Sequence, residues 1–167
     1  MFMDIISPVN DYRGKLLLLS GPSGSGKTSL CLQVIQTAQG TARQLSGVVS
    51  PGVFVDGQKK AIMVQAVNSG ETFQLARPVS AAHPQDTTSL RTPAWSFDPD
   101  AVAWGNQILA NALPADMFII DELGPLEWLQ NSGWTAAFPA IDSRQYNLCL
   151  LVTRPELLEL ALNHWPD

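Results

Sequence analysis

Three continuous apolar runs punctuate the chain: Lys15–Ser20 (KLLLLS), Met117–Ile120 (MFII) and Leu148–Val152 (LCLLV). Runs of that length without alternation suit strands buried on both faces, as in a parallel sheet. Helical periods stand beside them. Lys27–Gln39 places Leu30, Val34 and Ile35 on one face, and Gly40 follows where a helix would end. Asp98 and Pro99 form an N-cap with proline at the first helical position, ahead of Val102, Ile108 and Leu109, with Trp104 beside that face. Thr153 and Pro155 repeat the signal before a helix over Glu156–Leu162. In between, the period shortens. Gly47–Val55, Ala61–Val67 and Thr72–Ala76 read as strands, separated by the turns Asp56-Gly57 and Asn68-Ser69-Gly70. This predicts an antiparallel insertion of hairpins, with Pro51 marking an edge or a bulge. Residues 1–14 read as a lead-in and residues 78–97, with three prolines, as an irregular loop. Strands alternating with helices predict an α/β fold: a mainly parallel sheet flanked by helices, with the hairpins inserted. The 167 residues fit a single domain over 1–167.

Composition narrows the function classes. Apolar residues make up 46% and charged residues 15%, which excludes a disordered chain. The net charge is −5 and the ten Lys and Arg are scattered, so nucleic acid is a disfavoured partner. No apolar stretch reaches the roughly 20 residues of a membrane helix, and Asp4 and Pro8 interrupt the N-terminus where a secretory leader needs a basic then apolar run. Cys31 and Cys149 sit apart in apolar contexts, the pattern of buried thiols in a reducing cytosol. The expectation is a cytoplasmic protein with no membrane partner; the sequence leaves a protein partner open.

The strongest chemical signal is Gly21-Pro22-Ser23-Gly24-Ser25-Gly26-Lys27-Thr28, a full match to G-x-x-x-x-G-K-[ST] between an apolar strand and an amphipathic helix. Glycines let the backbone approach a polyphosphate closely, and successive amides form an anion-binding nest. The helix start, running on through Ser29, adds partial positive charge. Lys27 reaches the β- and γ-phosphates, and the Thr28 hydroxyl is a Mg²⁺ ligand. The substrate class is therefore a nucleoside triphosphate, ATP, GTP or another.

About ninety residues on, Phe118-Ile119-Ile120-Asp121-Glu122 is an apolar strand ending in two carboxylates. Asp121 is assigned to the Mg²⁺ shell, through water, and Glu122 to polarising a water that attacks the γ-phosphate. Asp121-Glu122-Leu123-Gly124 also has the D-x-x-G form of GTPases, but no N-K-x-D follows to read guanine. Glu127 reads as a solvated helix residue. Arg154, just past the last apolar run, stands where ligands gather beyond strand ends and is a candidate contact to base or phosphates.

Together GPSGSGKT, FIIDELGPLE (Phe118–Glu127) and GVVSPGVFVDGQKKAIMVQAV (Gly47–Val67) resemble a small nucleoside-triphosphatase family, named from thermophiles and including a human cancer-related nucleoside-triphosphatase. The resemblance runs from about Lys15 to Pro166, and the Asp121–Glu127 string is its more specific element. It implies a RecA-like sheet flanked by helices, Mg²⁺-dependent hydrolysis of several nucleoside triphosphates to diphosphates, and a functional acid at Glu122. One stretch departs: many members carry Glu-Val-Arg in the first hairpin, where this chain has the uncharged Ser50–Val55.

Weaker candidates complete the picture. Arg43, Arg77 and Arg91 are interchangeable as arginine fingers on sequence alone. His83 and His164 stand alone and read as surface residues. The five tryptophans read as packing, with Trp95 and Phe97 the pair to test for nucleobase stacking. Two other activities compete with hydrolysis: phosphate transfer to a small acceptor, for which residues 78–95 would be a lid poor in arginine, and a nucleotide-dependent switch.

Overall fold

The three apolar runs form adjacent parallel strands in the computed structural model, which describes residues 13–81 and 90–166. They are β1 (Lys15–Ser20), β7 (Ala115–Leu123) and β8 (Tyr146–Thr153). β8 lies between β1 and β7, and β2 (Leu45–Val49) runs parallel to β7 on its other side. Four antiparallel strands extend this core: β3 (Gly52–Val55), β4 (Gln58–Ala66), β5 (Thr72–Pro78) and β6 (Trp95–Phe97). The full order is β1-β8-β7-β2-β4-β5-β6, with β3 paired to β4. The α/β expectation of a parallel core with antiparallel hairpins is met.

Alternation along the central strands sends side chains to two layers. Met117, Ile119, Leu150 and Val152 pack under α1 (Lys27–Ala38), against its buried Cys31 and Ile35. Phe118, Ile120, Cys149 and Leu151 face the opposite layer. That layer is made by α2 (Pro99–Ala110), α4 (Ala137–Asp142) and α5 (Leu158–His164), through Leu109, Ile141 and Ala161. Phe118, Ile119 and Ile120 are fully buried, and each such side chain contributes about 1.5–3 kcal/mol relative to exposure. This is why unbroken apolar runs, rather than alternating ones, form the centre. Both cysteines are buried thiols; burial pushes Cys31 up to about 12 and raises Cys149 further. Among the described residues no helix is long and apolar enough to cross a membrane.

Several local expectations change. Gly47–Val55 is two strands, because the chain breaks at Ser50-Pro51; the first half joins the parallel core and only the second forms a hairpin edge. The irregular stretch 78–97 contains β6, held by Ala76↔Phe97 and Pro78↔Trp95 pairing; His83 and the middle of the lid reading over 78–95 fall on residues 82–89, outside the described residues. Asp98 caps α2 as expected, its Oδ1 accepting the amides of Asp100 (2.8 Å) and Ala101 (3.1 Å). Thr153 does not cap the last helix. It ends β8, and Arg154 takes the cap position of a short 3-10 turn, Pro155–Leu157, before α5. Two short helices add to the predicted elements: α3 (Pro125–Gln130), which bears out a helix position for Glu127, and α4.

Candidate active site

Register brings the chemistry to one edge. Ser20 pairs with Thr153 and Thr153 with Leu123, so β1, β8 and β7 finish level with one another. The loop Gly21–Gly26, Arg154 and the Asp121–Gly124 segment therefore leave the sheet side by side, beyond the carboxyl ends of parallel strands. The antiparallel extension reaches the same side. The starts of β4 and β6 and the end of β5 project past β2 and form a wall.

The glycine-rich loop has the conformation its sequence requires. Gly24 (φ 78°) and Gly26 (φ 90°) adopt left-handed backbone, and a Cβ at either would meet nothing within 4 Å. Glycine is needed there for conformation rather than room. Gly26 is the N-cap of α1, so the amides of Lys27, Thr28 and Ser29 begin the helix without intrahelical partners. Pro22, Ser23 and Ser25 line the exposed rim. Lys27 Nζ sits at the loop's centre, donating to the carbonyls of Gly21 (2.7 Å) and Pro22 (2.7 Å), with Ser25 Oγ at 3.5 Å. The expected constellation Gly21–Ser29 is thus assembled in one turn of chain.

The strand end opposite carries the acids on a bulge. Pairing between β7 and β8 slips between Ile120 and Leu123, and Glu122 has φ 78°. A residue other than glycine held there costs on the order of 1–3 kcal/mol and persists only where surroundings over-determine it. Bulges re-aim side chains. Here both Asp121 and Glu122 line the same cleft, where strict alternation would send them to opposite faces. Asp121 is 3% exposed and accepts the Ser50 amide at 3.0 Å. Burial pushes its carboxyl up, opposed by the Ser50 amide, the Thr28 hydroxyl and the Lys27 charge. Thr28 and Asp121 present only hard oxygen donors, the set Mg²⁺ takes when phosphates and water complete its shell. Glu122 Oε1 accepts from Arg154 Nε at 2.5 Å, an ion pair that is partly open to solvent.

The cleft joins these groups to the wall. Ser23, Thr28, Asp121, Glu122 and Arg154 line one side. Ile62, Leu75, Trp95 and Phe97 line the other, with Lys59 beside them. The candidate aromatics Trp95 and Phe97 thus do reach the site. Of the three spare arginines, none is among the cleft's described lining residues. Arg43 precedes β2 and so lies at the opposite end of the sheet. Trp134 and Trp165 are buried packing residues, as read from sequence. His164 is half exposed, with its ring edge-on to Trp128 and Trp165.

Glu127 contradicts its expectation. It is 8% exposed rather than solvated, and its two oxygens accept the amides of Gly124 (2.7 Å) and Trp134 (2.8 Å). Burial pushes its carboxyl up to about 7 against those amides. The sequence signal that finds it is glutamate three residues into a helix whose cap it bonds, half of a capping box. The native state keeps this proton to about 7, whereas an ordinary glutamate releases it near 4.5. The associated stability is complete below 4.5 and is lost as pH rises through about 7. The melting temperature of the parent is therefore expected to fall more steeply over that interval than that of Glu127→Gln; parallel curves would contradict the buried titration.

Known proteins are similar to this chain in sequence and in fold. A family model described as NTPase matches residues 16–154. The nucleoside-triphosphatase THEP1 of Ignicoccus hospitalis is 27% identical over 111 residues, 66% of this chain and 60% of the relative. That of Caldivirga maquilingensis is 22% identical over 147 residues, 88% of this chain and 80% of the relative. The chain thus spans about 60% of the length of the first relative and 80% of the second. Among solved structures, a human cancer-related nucleoside triphosphatase superposes with a TM-score of 0.63 at 21% identity, covering 89% of this chain and 84% of that one. THEP1 from Aquifex aeolicus gives 0.61 at 14% identity, covering 89% and 83%. These two structures share the fold. With the family model spanning most of the sequence, from β1 to the residue after β8, the chain belongs to the NTPase family.

Proposed function

We propose that the chain, acting as one cytoplasmic domain, hydrolyses nucleoside triphosphates to diphosphate and phosphate with Mg²⁺ and broad base tolerance. The observation that carries this is the bulge at Asp121-Glu122, which presents both carboxylates to the cleft beside Thr28. The loop amides and Lys27 bind the triphosphate, with Lys27 exchanging its carbonyl partners for β- and γ-oxygens. Thr28 and Asp121 hold Mg²⁺, which when bound neutralises charge developing on the phosphates. Arg154 pairs with Glu122 without nucleotide; a γ-phosphate offers the guanidinium a stronger anion. Glu122 is then left to accept the proton of the attacking water. Placing Arg154 on the phosphates also fits its position immediately after β8, the strand between the loop strand and the acid strand.

Base tolerance follows because the groups the loop offers, its amides and Lys27, suit phosphate rather than base, and the sequence carries no guanine-reading N-K-x-D. Phosphate release should be sustained with ATP, GTP, CTP and UTP alike, with no acceptor added. A single slow turnover would instead indicate a switch. The acceptor reading has one observation in its favour, the wall of Ile62, Leu75, Trp95 and Phe97 across the cleft from Glu122. ATP loss that depends on an added alcohol would support it.

Metal dependence gives a separate prediction. Nucleotide with Mg²⁺ should raise the melting temperature, since a ligand at a hundredfold over Kd stabilises by about 2.7 kcal/mol. Thr28→Ala or Asp121→Ala should blunt the Mg²⁺-dependent part of that rise. A melting curve and a hydrolysis rate that ignore EDTA would remove both residues from the metal site.

A further inference from the structure

Glu127 takes no direct part in this chemistry, yet it is the most tightly enclosed acid near it apart from Asp121. Its Oε1 holds the Trp134 amide and its Oε2 the Gly124 amide. Room for the carboxylate is built in. Gly133 has φ 70°, and a Cβ there would stand 2.0 Å from Glu127 Oε1. The segment it grips is itself fixed to α2. Asn106 Nδ2 donates to the Gly133 carbonyl (2.8 Å), and Asn106 Oδ1 accepts the Ala136 amide (2.9 Å). The Trp134 ring lies so close over Gly105 that a Cβ there would be 2.3 Å from it. Gly124, at the other end of the tether, sits between two carboxylates. A Cβ on it would be 3.4 Å from Glu122 Oε1 and 3.8 Å from Glu127 Oε2. Two residues earlier the backbone makes its left-handed turn at Glu122.

We propose that Glu127 is a positioning residue: by tying Gly124 to the α2-anchored segment at Gly133 and Trp134, it holds the bulge that aims Glu122 at the attacking water. The inference rests on the reading of Glu122 as the base. A backbone released at Gly124 can relax the left-handed turn, and the carboxylate then leaves its line with the γ-phosphate. The loop on β1 and Arg154 after β8 lie outside the tethered segment, so their nucleotide contacts stay as they were. The expected signature is loss in the chemical step with binding retained.

The test is a double-mutant cycle between Glu127→Gln and Glu122→Gln, read by single-turnover hydrolysis of ATP and by nucleotide Kd. Glutamine keeps the shape but offers one acceptor where two amides need partners. Glu127→Gln alone should slow hydrolysis on the order of 10-fold or more while Kd stays within about 2-fold. In the Glu122→Gln background the same change should slow the residual reaction less than about 2-fold, because the group being aimed is gone. An equal slowing in both backgrounds would reduce Glu127 to a structural helix cap and overturn the proposal. A slow Glu122→Gln beside an unimpaired Glu127→Gln overturns the coupling alone. A slow Glu127→Gln beside an unimpaired Glu122→Gln overturns the coupling and the base assignment together. If Glu127→Gln melts too early to assay, Glu127→Asp replaces it. Aspartate retains the carboxyl group but is too short to span both amides, and the same non-additive pattern is required of it.

Discussion

Lys27→Ala is expected to lose most turnover while keeping its fold. Lys27 is the side-chain cation at the centre of the loop, with Nζ 2.7 Å from two loop carbonyls. Phosphoryl transfer depends mainly on positioning and on stabilising charge spread over the γ-oxygens. Removing one preorganised donor aimed at such charge typically costs about 10²–10³ in rate, and this one carries a full charge. The fold should survive because Lys27 bonds only to its own loop and is partly exposed. Steady-state kcat/KM and a melting curve on the same preparation check both halves. A kcat/KM near the parent's would refute the site.

Glu122→Gln should bind nucleotide about as well as the parent and hydrolyse it far more slowly. The amide keeps the shape and can still accept from Arg154 Nε, but it cannot take a proton from water. A positioned base contributes roughly 10²–10⁴-fold, and the lower half of that range suits a reaction dominated by charge stabilisation. If Glu122 instead served only the metal shell, Kd and Mg²⁺ dependence would deteriorate together with kcat. A hydrolysis rate equal to the parent's would remove Glu122 as the base.

How much of this was visible beforehand depends on where each signal resides. Local, sequence-contiguous chemistry was legible: the Gly21–Thr28 loop, the Asp98 cap and the continuous runs of β1, β7 and β8 all fold as their patterns dictate. Glu122 and Arg154 were named as candidates, but their pairing was not. It comes from β8 lying beside β7, a choice of strand order that periodicity does not encode. By its sequence, Pro51 marks an edge or a bulge within a single strand Gly47–Val55. The fold uses it to divide a parallel core strand from an antiparallel hairpin, which only the pairing of β2 with β7 decides. Glu127 is buried against its sequence pattern: a glutamate on a short helix beside apolar neighbours has no burial signature of its own. Its partners, the Gly124 and Trp134 amides, become visible as partners only when the chain from 124 to 134 curls around it. The short helices α3 and α4, six residues each, are too brief for a helical period to stand out.

The central claim is that water, aimed by Glu122, attacks the γ-phosphate of a triphosphate seated on the Lys27 loop. Hydrolysis in H₂¹⁸O with Mg²⁺ and no acceptor tests it most directly, with mass analysis of both products over many turnovers. The account predicts one ¹⁸O in each inorganic phosphate, none in the diphosphate, and no product once EDTA is added. Label in the diphosphate, or failure to turn over beyond one equivalent, would contradict it.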